Sequence, residues 1–176
     1  EFAGGYPLVG AMLRWVLGDS ILALQMVSWL AAAFGLWFFV RLLTLLAPGA
    51  RVESRWAFAG LGLVLCPMFL RAGLTCMSDA LGFVFALASF FYGIRVFERK
   101  PLSNAIWAAA FAAMAISTRY SLAALLLPLA ISIGYFLVER KKWLALTGAV
   151  CAGILAFLPH FWLKSLKIVK IANLYT

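Results

Sequence analysis

Residues 20–40 read SILALQMVSWLAAAFGLWFFV and close at Arg41, with no ionisable side chain between. An α-helix rises about 1.5 Å per residue, so roughly 20 such residues cross the ~30 Å hydrocarbon core of a bilayer. Only helices and closed barrels satisfy their backbone groups in lipid. A barrel strand would alternate apolar and polar residues, and this stretch is apolar all round. It is a membrane-spanning helix by this reading.

The rest of the 176-residue chain agrees. It is 66% hydrophobic and 12% charged, with mean hydropathy +1.03, whereas a soluble domain is about half apolar and a quarter charged. That balance excludes an ordinary soluble globule, and it excludes disorder. Charged clusters mark off further apolar windows. The expected architecture is all-α, a polytopic integral membrane protein with about six transmembrane helices forming one domain over 1–176. The spans are placed at 20–46, 56–72, 78–97, 102–118, 120–138 and 143–159. Several are short, which suits helices whose ends sit in a protein-lined recess. Residues 6–17 are too few to cross and are read as a juxtamembrane helix on the membrane surface. Pro7 suits its first turn, and Asp19 or Ser20 can cap the helix that follows. Residues 160–176 form an outward-facing basic segment. The Glu1-Phe2 start and the Leu174-Tyr175-Thr176 end read as the bounds of a piece of a longer protein.

Lys and Arg number 15 against six Asp and Glu, a net charge of +9. No continuous basic face tracks phosphates, so a nucleic-acid partner is not expected. Topology accounts for the excess better. Arg41, Arg51, Arg55, Arg95, Arg99, Lys100, Arg140, Lys141 and Lys142 fall in one set of loops. Arg14, Arg71, Arg119, Lys164, Lys167 and Lys170 fall in the other. The richer set is assigned to the cytoplasm, and Trp56 and Trp143 anchor spans at the headgroups. Membrane lipids are the expected surroundings. Gly- and Ala-rich runs at 31–33 and 108–110 permit close packing on helices of this chain or of a membrane-protein partner.

The ionisable residues of the outer face are the candidates for chemistry. Asp79 opens a span, where it serves as a helix N-cap or as a site carboxylate orienting a sugar, a metal or an arginine. Arg119, in Ser117-Thr118-Arg119-Tyr120-Ser121, either snorkels to headgroups or grips a lipid phosphate with its planar fork. Arg71 has the same pair of readings. His160, the single histidine, reads first as a hydrogen-bonded structural residue. Lys164, Lys167 and Lys170 alternate with apolar residues as an interfacial segment would. The three cysteines, Cys66, Cys76 and Cys151, lack CxxC spacing and read as apolar packing residues, and no zinc-ligand set is present. Phosphate-loop, dinucleotide, zinc-protease and serine-hydrolase motifs are missing from the sequence.

The order of features resembles the N-terminal membrane region of C-type glycosyltransferases, particularly the protein O-mannosyltransferase and aminoarabinose-transferase-like group. The resemblance covers nearly the whole chain. It rests on Tyr6-Pro7-Leu8, Gly18-Asp19-Ser20, Pro67 leading to Ser78-Asp79-Ala80, Thr118-Arg119-Tyr120, Leu125–Pro128 and Leu158-Pro159 followed by Phe161-Trp162. Each motif is short, so the order and spacing carry the weight. The resemblance implies transfer of a sugar from a polyprenyl-phosphate donor to a lipid, glycan or protein acceptor at the extracytoplasmic face. The membrane would be a bacterial inner (plasma) membrane or an endoplasmic reticulum membrane. Asp79 matches the family's second acidic position and Arg119-Tyr120 its Arg/Lys-Tyr position. Arg71, His160 and Lys164 join them on the substrate-binding face. The family's catalytic carboxylate lies upstream of the Tyr-Pro helix, so no catalytic residue is assigned within this chain. No cofactor is required by the motifs, and a divalent metal is left open. The competing readings are a non-catalytic scaffold with the same helical fold and a transporter. The transporter fits less well, because mid-span charges and an internal repeat are missing.

Overall fold

The computed structural model describes residues 5–49, 51–64, 78–98 and 100–165. These residues form seven helices and no strands: α1 (Gly5–Leu17), α2 (Ser20–Leu46), α3 (Val52–Val64), α4 (Ser78–Glu98), α5 (Pro101–Thr118), α6 (Leu122–Glu139) and α7 (Trp143–Ser165). Five of them, α2 and α4 to α7, are long and apolar enough to cross a membrane. The all-helical membrane architecture follows. Of the span expected at 56–72, α3 is described to Val64, and 65–72 lie outside the described residues, as does Arg71.

Local chemistry explains where the helices begin and end. Gly18, at φ +75°, takes the left-handed conformation that closes α1, and its N–H donates to the Arg14 carbonyl at 2.8 Å. Asp19 then caps α2, its carboxylate accepting from the amides of Ile21 and Leu22 at 2.8 and 3.3 Å. Pro101 sits at the first position of α5, where a missing N–H costs nothing.

The far end of α2 is held by Arg55 of α3. Its Nη2 donates to the carbonyls of Ala47 and Pro48 at 2.9 and 2.8 Å, and the side chain is buried. Orphan carbonyls and the negative end of the helix dipole both favour a cation there. Arg55→Ala is expected to cost about 1.5–3 kcal/mol, the range for hydrogen bonds to charged groups. Arg55→Lys should recover part of it, read as the midpoint of thermal unfolding in detergent.

Two prolines lie inside helices, Pro128 within the span expected at 120–138 and Pro159 at the expected end of the last span. Pro128 lies inside α6, where the Ser132 hydroxyl donates back to its carbonyl at 2.8 Å. Pro159, expected to end the last span, lies inside α7, which runs on to Ser165. One proline removes one hydrogen bond, whereas ending the helix there would free several backbone groups in apolar surroundings. The segment expected from residue 160 is therefore helical through Ser165, and 166–176 lie outside the described residues.

The helices pack around α4, the most enclosed of the spans. α2 lies on one side of it, with Val27, Ala31 and Phe38 against Val84, Ala88 and Phe91, and Val9 and Leu13 of α1 join this core. α5 lies on the other side. Its alanines let it approach α4 and α7 closely, with Ala105 and Ala108 buried beside Val96, Leu137 and Ala145. Buried Ser89 donates to the Ala108 carbonyl at 2.9 Å, and Asn104 Nδ2 to the Arg95 carbonyl at 3.0 Å, tying α4 to α5. The outer faces carry exposed Trp29, Phe34, Ile131, Tyr135, Leu144 and Leu155. Lipid is the solvent that such a surface needs.

Candidate functional site

The connections from α4 through α7 are two or three residues long, so successive helices run antiparallel. The start of α4, the end of α5, the start of α6 and the end of α7 thus gather at one end of the bundle. Four of the six residues singled out in the sequence come together there. Asp79 is the second residue of α4, in its first turn and not at the N-cap position expected for it, and the helix dipole favours a carboxylate there. Arg119 ends α5 in an extended conformation (φ −155°, ψ 112°), which releases it from the helix.

The Arg119 guanidinium forms an ion pair with Asp79 through Nη1 and Oδ1, and its Nε donates to Ser121 Oγ at 3.1 Å. The two paired side chains are 48% and 38% exposed, so the pair is accessible and readily opened, in the class of surface ion pairs. A phosphate, which offers two oxygens to the planar guanidinium fork, could replace the carboxylate there.

The neighbouring residue makes a second pair. Tyr120 Oη and His160 Nε2 lie 2.6 Å apart, joining the α5–α6 turn to α7 across forty positions of chain. The imidazole is 8% exposed and lies beside Phe157, ring centroids 5.0 Å apart. Tyr120→Phe keeps the ring and deletes the hydroxyl. The expected loss is about 1–3 kcal/mol, because it deprives a buried imidazole nitrogen of its partner. A thermal midpoint unchanged from wild type would contradict a structural role for this pair.

The turn is held by its own hydrogen bonds. Thr118 and Ser117 donate to the carbonyls of Ala115 and Met114, and Leu122 N and Ala123 N donate to the carbonyls of Arg119 and Tyr120. α4 approaches it at Gly82, where an added Cβ would lie 2.9 Å from both Leu122 Cδ1 and Thr118 Oγ1. Gly82 and Ser121 are the site residues that sequence reasoning passed over. The available signal was Gly82 standing one turn after Asp79, on the side where a small residue admits a neighbouring helix. Lys164 falls one turn beyond His160 along α7, and its side chain is outside the described residues. Among the described residues no group of three or more His, Cys, Asp or Glu gathers as a metal site would. Comparison with protein-family models, with curated proteins and with solved structures returns no match.

Proposed function

We propose that this chain is membrane region of a glycosyltransferase of the C-type kind, with a polyprenyl-phosphate sugar as donor and the Asp79–Arg119 end of the bundle facing the donor's phosphate. The observation that carries the reading is the pairing of an accessible arginine with a carboxylate at the end of an apolar bundle, beside a tyrosine–histidine pair. In the reaction, the bond between the sugar's anomeric carbon and the phosphate oxygen breaks while the acceptor's oxygen or nitrogen bonds that carbon. The phosphate leaves carrying the electron pair, and positive charge is useful where that negative charge develops. Arg119 supplies it by exchanging the Asp79 carboxylate for phosphate. The acceptor's proton passes to a carboxylate base, which the family resemblance places upstream of Tyr6. The transfer would take place at the extracytoplasmic face of a bacterial inner membrane or of the endoplasmic reticulum.

A second reading is favoured by the same ion pair. Asp79 and Arg119 satisfy each other, as they would in a non-catalytic scaffold that needs the pair only to lock α4 onto the turn. Binding and turnover of labelled polyprenyl-phosphate sugars by the full-length protein in lipid nanodiscs separates the two. The transferase reading expects saturable binding by wild type. It also expects Asp79→Asn to keep that binding, with Arg119 released from its carboxylate partner. No binding by wild type or variant would favour the scaffold.

A further inference from the structure

The opposite end of the bundle carries a recess that the proposed function does not use. It is an open cavity of about 650 Å³ between the start of α5 and the α6–α7 turn, with Lys100, Ser103 and Lys142 on its rim and Leu102, Ile106 and Trp107 on its wall. We infer that this recess binds one anionic phospholipid of the surrounding leaflet, with its phosphate between Lys100 and Lys142 and an acyl chain along Leu102, Ile106 and Trp107. The inference is independent of the glycosyltransferase reading.

Four observations support a lipid as the occupant. α5 has 18 residues, so it is about 27 Å long at ~1.5 Å per residue and matches the hydrocarbon core. Its first turn therefore falls where phosphates lie. The recess is polar and cationic at that level and apolar below it, which is the division within a phospholipid. Leu102, Trp107 and Leu144 around it are exposed, so a chain can enter sideways from lipid. Among the described residues neither lysine has an ion-pair partner, since the ion pair found there is Asp79–Arg119.

The wall is already formed. Gly148 of α7 brings the helix against Leu102 and Ile106, where an added Cβ would meet their side chains at 3.3–3.4 Å. Lys100 also holds a left-handed backbone (φ +49°) that glycine or asparagine would adopt more easily. A basic recess between spanning helices is the kind of surface that recognises anionic headgroups.

The test uses the purified full-length protein in detergent micelles, with dioleoylphosphatidylglycerol as probe and native mass spectrometry and thermal shift as readouts. One probe molecule is expected to be retained per protein, in preference to dioleoylphosphatidylcholine. Lys100→Asn with Lys142→Gln should raise the half-saturating concentration at least fivefold. Lys100→Arg with Lys142→Arg should restore it. Arg140→Gln with Lys141→Asn removes as much charge outside the recess and should change it less than twofold. Equal retention of the two lipids would overturn the inference. Equal losses in the two neutralised pairs would do the same, by making the effect diffuse surface charge. So would displacement of the probe by equimolar inorganic phosphate, which would make this a site for the free anion.

Discussion

Arg119→Ala is expected to weaken binding of a labelled polyprenyl-phosphate sugar by tenfold or more, a loss of about 1.4 kcal/mol or greater. Arg14→Ala should change it less than twofold. Both substitutions remove one positive charge, so a general electrostatic attraction would be lost equally in each. The difference lies in geometry. Arg119 leaves α5 at its extended last residue and is held by Asp79 and Ser121, so its fork is already oriented when an anion arrives. Arg119→Lys should fall between, because an ammonium keeps the charge without the planar fork. Loss of affinity in Arg14→Ala equal to that in Arg119→Ala would remove the phosphate role from Arg119. Folding should survive the change, since Asp79 stays in the first turn of α4, where the helix dipole stabilises it.

Gly82→Leu is expected to destabilise the bundle by about 1–3 kcal/mol, from overpacking where α4 meets the α5–α6 turn. The space at Gly82 is taken by Leu122 Cδ1 and Thr118 Oγ1 at 2.9 Å, so a leucine there requires those side chains or α4 to shift. That shift should lower the unfolding midpoint. Gly134→Leu provides the comparison, since an added Cβ there meets nothing within 4 Å. Similar midpoints for the two variants would show that the close approach at Gly82 does not matter.

Much of the fold was legible in the sequence because a helix in lipid must satisfy its backbone locally, which leaves charges, caps and prolines at its ends. Asp19, Pro101 and Trp143 mark their helix starts in this way, and the break at Gly18 follows from the same logic. The arrangement of the helices was not legible. α4 and α7 are apolar on every face, so no stripe showed that α4 is central or which side of α7 meets α5. The pairing of Tyr120 with His160, and of Arg119 with Asp79, depends on that arrangement. Each residue could be singled out as a costly polar group near lipid, but its partner was set by packing across forty positions of chain. Pro159 misled because proline usually ends a helix in water, where the freed backbone groups can be hydrated.

On the proposed function, the donor's phosphate meets the Asp79–Arg119 end of the bundle. The most direct measurement is photocrosslinking of the full-length protein in nanodiscs, using a polyprenyl phosphate with a diazirine next to the phosphate, followed by mass-spectrometric mapping. The proposed function requires label on residues 116–122 and 157–161, suppressed by unlabelled polyprenyl-phosphate sugar and reduced in Arg119→Ala. Label concentrated at Lys100–Ser103 and Lys142, or label that the competitor does not suppress, would place the carrier elsewhere and contradict it.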